Sequence, residues 1–212
     1  MKRLFTAIAT LSLLAWAGHA RAEGKFTVGI GLMHSTADLA TNDNAGLNSA
    51  YDHSELGGRI ECWDQQREHY ALNLQANLGF FSETDKPGAG GPANELKYTQ
   101  SSWSVRLGGD RTWKPLENTT MFFGPGLEFW SGKAKFENVP GITNGYETES
   151  VNRFSLHAHV GAISMIGPGW GLSGQLGHRI GVATYEEGGA KSTWWPSSLD
   201  GAMEIVFAFG GK

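Results

Sequence analysis

Apolar and polar residues alternate with a period of two over most of this chain. The clearest run is 69–80. Tyr70, Leu72, Leu74, Ala76, Leu78 and Phe80 fall on one side, and His69, Ala71, Asn73, Gln75, Asn77 and Gly79 on the other. Side chains of a strand point alternately to its two faces, so this pattern predicts a strand with one greasy and one polar face. Seven more segments follow the template: 25–34 (Phe26, Val28, Ile30, Leu32), 54–63 (Leu56, Ile60, Cys62), 98–110 (Trp103, Val105, Leu107), 119–132 (Met121, Phe123, Leu127, Phe129), 151–164 (Phe154, Leu156, Ala158, Val160, Ala162), 169–185 (Trp170, Leu172, Leu176, Ile180, Val182) and 199–210 (Leu199, Met203, Ile205, Phe207, Phe209). No segment beyond the N-terminus reads as an amphipathic helix. The expected fold class is therefore all-β, an antiparallel up-and-down barrel of eight strands.

The connections alternate too. Those at 35–53, 82–97, 133–150 and 186–198 are long and rich in Asn, Asp, Gly, Pro and Thr, as in Thr41-Asn42-Asp43-Asn44 and Lys86-Pro87-Gly88. The intervening ones are short, such as Gly167-Pro168 and the stretch around Lys114-Pro115. In an up-and-down barrel every long loop then falls at one end, the asymmetry of transmembrane barrels with short periplasmic turns and long extracellular loops.

A soluble barrel is apolar inside, and an outer-membrane barrel inverts this. Three features favour inversion. The polar face is small and glycine-rich (Gly29, Gly31, Gly57, Ser104, Gly108, Gly124, Ser155, Gly161, Gly177), whereas a solvated sheet would carry many Lys and Glu. Its charged and titratable residues are few and of both signs, so they can pair inside. They are Arg59, Glu61, Arg106, Glu128, His157, His159, Arg179 and Glu204, the expected lumen polar network. Aromatics gather near strand ends, and Trp63, Tyr70, Phe80, Trp103, Trp113, Trp130, Phe154, Trp170 and Phe209 are expected to form interfacial girdles.

Composition sharpens this. Glycine supplies 30 of 212 residues without a three-residue period, which excludes collagen. Residues 1–22 read as a cleaved export signal: Lys2 and Arg3, an apolar Leu4–Ala17 stretch, then Ala20-Arg21-Ala22. The barrel domain is expected over 23–212. Losing Lys2, Arg3 and Arg21 takes the net charge from −4 to −7, and no basic stripe remains to bind nucleic acid. Cys62 is the one cysteine, so no internal disulfide forms.

The span 23–212 resembles the small eight-stranded outer-membrane proteins of the OmpA-like, OmpX-like and opacity-protein type. The likeness rests on the signal, strand count, loop asymmetry and aromatic-rich last strand Met203-Glu204-Ile205-Val206-Phe207-Ala208-Phe209. It implies an integral protein of a Gram-negative-type outer membrane, with both termini periplasmic. Its partners would be outer-membrane lipids, the barrel-assembly machinery and an extracellular ligand at the loops. The family usually ends on an aromatic residue, whereas Gly210-Gly211-Lys212 follows Phe209 here.

Chemical motifs are sparse. Ser155, His157 and His159 share a strand face, but metal binding would need further ligands and a lipid hydrolase would need its nucleophile facing lipid. No phosphate-binding loop, dinucleotide fingerprint or nucleophile elbow occurs, and no cofactor or metal is expected. His178 breaks the apolar face of its strand, through a bulge near Gly174 or Gly177, through simple tolerance, or through a lipid-headgroup or protein contact. Trp194-Trp195-Pro196 in the last long loop is read first as packing against other loops, with contact to the outer leaflet or an adhesive patch as the alternatives. The expected function is a non-enzymatic envelope scaffold displaying surface loops. The alternatives are a lipid-modifying outer-membrane enzyme and a soluble periplasmic barrel binding a small apolar ligand.

Overall fold

The computed structural model describes residues 25–36, 55–67, 69–85, 96–138, 143–148, 150–187 and 190–210. The expected signal, the Thr41–Asn44 and Lys86–Pro92 segments and Lys212 lie outside them. Eight long strands form: β1 (Lys25–Ser35), β2 (Glu55–Arg67), β3 (Tyr70–Asp85), β4 (Leu96–Leu116), β5 (Thr119–Glu137), β7 (Val151–Gly167), β8 (Trp170–Glu187) and β10 (Ser197–Phe209). Two short ones, β6 (Tyr146–Glu147) and β9 (Ala190–Trp194), prolong hairpins.

Each long strand pairs antiparallel with its sequence neighbours, and β10 pairs with β1 through Phe26↔Phe209 to Ser35↔Asp200, closing the barrel. Closure leaves no edge of unpaired backbone groups, which hydrocarbon could not solvate.

Side-chain direction follows parity. Odd residues of β1, β2, β3, β7 and β8 and even residues of β4, β5 and β10 point inward. The barrel is inside-out with respect to a water-soluble protein: Leu156 is 67 % exposed and Met203 76 %, while Glu61 and Arg106 are 0 %. Leu72, Leu74 and Ile205 are exposed as well. A soluble apolar-cored barrel would show the reverse. The apolar outer wall of Ile30, Leu107, Leu127, Val160, Leu176 and Ile180 spans every quarter of the cylinder, as a membrane-spanning barrel requires.

The strand ends joined by the long connections all lie at one end, and two of these connections are shorter than the sequence pattern suggests. β5 runs on to Glu137, and β6 pairs with it at Lys135↔Glu147 and Phe136↔Tyr146. β9 pairs with β8 from Ala183↔Trp194 to Glu187↔Ala190. The polar residues there read as loop because strands that leave the bilayer lose their greasy face while keeping their ladder. At the opposite end β7 and β8 join through Pro168-Gly169. Gly169 has φ +79°, the left-handed conformation that the third position of a tight Pro-Gly turn demands.

Replacing Leu156 with Arg puts a charge on the lipid face near mid-strand, where the cost is about 2–4 kcal/mol. Reversible urea unfolding from lipid vesicles should show that loss. A change within about 0.5 kcal/mol, normal for a water-exposed site, would contradict a hydrocarbon-facing wall.

Candidate functional site

The inward face divides into three layers along the barrel. At the short-turn end Trp63, Ala71, Phe122 and Val206 form a buried apolar cluster, with Ile163 and Met165 against it. Trp63 and Phe122 pack with ring centroids 5.7 Å apart. Gly161 makes room: a Cβ there would strike the Phe122 ring. At the loop end Trp130, Ala134, Val151 and Ala183 form a second cluster, flanked by Tyr98 and Phe136.

Between them lies a polar layer. Arg106 donates to Glu61 Oε1 at 2.8 Å and to Asn73 Oδ1 at 3.3 Å. Glu61 also accepts from Asn73 and Gln175. Arg59 reaches Asn77 at 2.9 Å and Asp200 at 3.2 Å. Nearer the loops, Arg179 donates to Glu128 at 2.9 Å and to Ser198 at 2.6 Å, and also to Ser35. Arg153 lies 3.8 Å from Glu128 and stacks over Trp130 at 4.9 Å. Gln100 donates to Glu55 at 2.5 Å.

The histidines join this layer from one strand. Arg106 has only donors, so its 2.8 Å contact with His157 Nδ1 makes that nitrogen the acceptor. His157 Nε2 then carries the proton and donates to Asp200 Oδ1 at 2.8 Å. That tautomer is neutral. His159 Nε2 lies 2.9 Å from Asp110, and its ring stacks on His157 at 5.4 Å and tilts against Phe122 at 5.8 Å. Gly177 opposite is required for space, since a Cβ would collide with the His157 ring.

The sequence itself matches no family model and no curated protein. The structure superposes on a major outer membrane protein of Thermus thermophilus with a TM-score of 0.52 at 12 % identity, covering 88 % of this chain and 99 % of that one. On the outer membrane protein OprG of Pseudomonas aeruginosa the TM-score is 0.51 at 9 % identity, with 89 % and 97 % covered. At such identities the likeness establishes architecture. The chain has the fold of the small outer-membrane β-barrels.

In this outer-membrane-type barrel, Arg59, Glu61, Arg106, Glu128, His157, His159, Arg179 and Glu204 all point inward and are buried. All but Glu204 take part in the contacts just described. The Glu204 carboxylate fills the space over Gly29, where a Cβ would fall 2.8 Å from its Oε2. Tyr70, Phe80, Trp113, Phe154, Trp170 and Phe209 are exposed on the outer wall, and Trp103 is half-buried there, 5.4 Å from Phe129.

Two girdle assignments are overturned. Trp63 (4 % exposed) and Trp130 (6 %) point into the lumen, because their parity matches Glu61 and Glu128 rather than Cys62 and Phe129. They are the centrepieces of the two apolar clusters. Trp194 also lies in strand β9 rather than in a loop, while Trp195 follows it, 63 % exposed.

The bulge expected near His178 is absent. The β7–β8 register is continuous from Asn152↔Thr184 to Met165↔Gly171, and the β8–β10 register is continuous across His178 as well. His178 stays on the outer wall, half-buried, with Nε2 2.9 Å from Ser197 Oγ on β10. That contact satisfies one ring nitrogen at the loop end of the wall.

Among the described residues, Ser155, His157 and His159 do not form a hydrolase constellation. His157 is engaged by Arg106 and Asp200, and Ser155 Oγ has no hydrogen-bond partner among the described residues. Among the same residues no group of three or more His, Cys, Asp or Glu is placed to hold a metal ion. Cys62 lies half-buried on β2 without a disulfide.

Asn73, Gln75 and Asn77, already on the polar face of the 69–80 alternation, belong to the network, and Asp110, Arg153, Gln175 and Asp200 are members that the sequence pattern did not single out. Their strand parity was the available signal.

Removing one partner of a buried ion pair strands the other charge, at about 3–5 kcal/mol. Arg106→Met should therefore lower unfolding stability by about that amount in urea titration, and adding Glu61→Gln should recover part of it. Equal loss in the single and double variants would show that the Arg106–Glu61 contact does not carry the effect. His178→Leu should keep the heat-modifiable gel mobility of a folded barrel, and loss of that shift would show that the Ser197 contact is needed for assembly.

Proposed function

We propose that this chain is a non-enzymatic, non-conducting outer-membrane barrel, with periplasmic termini, that acts through its outer wall and loop end. The observation that carries this reading is the filled lumen. An eight-stranded barrel is only wide enough for its own side chains. Here a polar network is sealed on both sides by the Trp63–Phe122 and Trp130–Val151 clusters. An interior so filled offers neither an aqueous channel nor a site for an apolar ligand.

The four long connections emerge at one end and constitute the displayed surface. Trp195, exposed beside buried Pro196 at the β9–β10 junction, is the candidate contact residue there. At the opposite end β10 finishes on outward-facing Phe207 and Phe209, followed by Gly210 at φ +80°. The reading assigns that terminal aromatic strand to recognition by the barrel-assembly machinery.

Purified protein in planar lipid bilayers should give no single-channel current, and Trp63→Ala combined with Phe122→Ala and Trp130→Ala should raise leak conductance. Steady wild-type channels would overturn the non-conducting reading. Trp195→Ser should reduce adhesion of expressing cells to host-matrix surfaces at unchanged surface level, and unchanged adhesion would remove the patch from the account.

A further inference from the structure

Among the described residues, the lipid-facing wall has a hollow on the loop-end half of β3, β4 and β5. A cavity of 480 Å³ opens there, within the range of about 300–1,000 Å³ typical of small-molecule sites. Its cause is local sequence. Ala76, Ser101 and Ser131 occupy outward positions beside Ile60, Phe80 and Trp103 of neighbouring strands, and Leu78 and Trp103 wall the hollow these small residues leave. Trp103 pairs in register with both Leu78 and Ser131, so the indole stands across the depression.

The rim of the hollow is charged. Lys133 and Glu147 line it, 3.4 Å apart and both substantially exposed. Lys135 and Lys97 stand outward on the same edge of β5 and β4, with Lys135 held 2.6 Å from Glu137. Lys97, Lys133 and Lys135 stand outward here beside Glu137 and Glu147. An exposed Lys–Glu contact of this kind contributes little and opens readily. Apolar hollow below and ammonium above is the polarity of an amphiphile aligned with the bilayer normal.

We infer that this hollow is a binding site for a single phosphate-bearing membrane lipid, one acyl chain lying against Ala76, Leu78 and Trp103 and the phosphate meeting Lys133. The inference rests on the membrane-barrel reading above and makes the wall selective rather than merely greasy. Lys133 leaves Glu147 for the phosphate, which offers more negative charge and more acceptor oxygens. Ser131 and Ala76 matter only because they are small.

Native mass spectrometry of the folded barrel released from dodecyl maltoside tests this, with dioleoyl-phosphatidylglycerol and dioleoylglycerol as probes of equal chains with and without phosphate. One retained phosphatidylglycerol is expected, with at least tenfold less dioleoylglycerol at equal concentration. Ser131→Trp, which fills the hollow, should abolish retention, and Lys133→Gln should lower it about fivefold or more. Ala76→Leu serves as a second filling variant if Ser131→Trp does not fold. Retention unchanged in the filling variants and in Lys133→Gln, or equal retention of dioleoylglycerol, would overturn the site. Heat-modifiable mobility is read on the same samples: its absence in the wild-type chain would defeat the membrane reading, whereas its presence with no selective lipid would defeat the site alone.

Discussion

A backbone amide or a carboxylate surrounded by hydrocarbon has no water to turn to, and that constraint organises this molecule. The sheet answers it by closing, so every ladder group finds a neighbour, with β10 returning to β1. The side chains answer it by sorting. Leu, Ile and Phe face outward, and the groups that need partners face one another across a narrow interior. Arg106 is the hub of that interior: it ties Glu61 on β2, Asn73 on β3 and His157 on β7 to its own strand. Four strands are thereby joined by side chains as well as by the ladder.

The interior is not uniformly polar. Aromatic and aliphatic side chains pack at both ends, and the run of ring contacts Trp63, Phe122, His159, His157 leads from the lower cluster into the charged layer. Closing the ends keeps bulk water from competing for the internal hydrogen bonds, which strengthens them. A barrel built this way has little to do with its inside. Its remaining surfaces are a lipid-facing wall and a loop end, and the hollow between Leu78 and Trp103 lies where the two meet.

The fold was legible in the sequence because a half-greasy strand writes its two faces as strict alternation, so inward parity followed for Arg59, Glu61, Arg106, Glu128, His157 and Arg179 alike. Cross-strand partners were less legible. Asp110, Arg153 and Asp200 fell within the expected strands, but their partners lie on other strands and no local pattern names them. Trp63 and Trp130 were misplaced because position near a strand end outweighed parity, and parity was the better guide. Phe122-Phe123 and Ile205-Val206-Phe207 hold the clue, since an apolar residue on the polar beat marks a plug. The hydrogen bond of His178 to Ser197 depends on a cross-strand register that no local pattern encodes. The hollow on the outer wall likewise needs three strands aligned before its small residues meet.

The most direct test of the central claim is a nitroxide scan along β7, from Arg153 to Val160, in lipid vesicles on a Cys62→Ser background. Collision with dissolved oxygen reports hydrocarbon, and collision with a water-soluble nickel chelate reports water. The account predicts high oxygen and low nickel accessibility at Phe154, Leu156, Ala158 and Val160, and low values of both at Arg153, Ser155, His157 and His159. Strong nickel accessibility at the even-numbered positions would place water on the apolar face and contradict it.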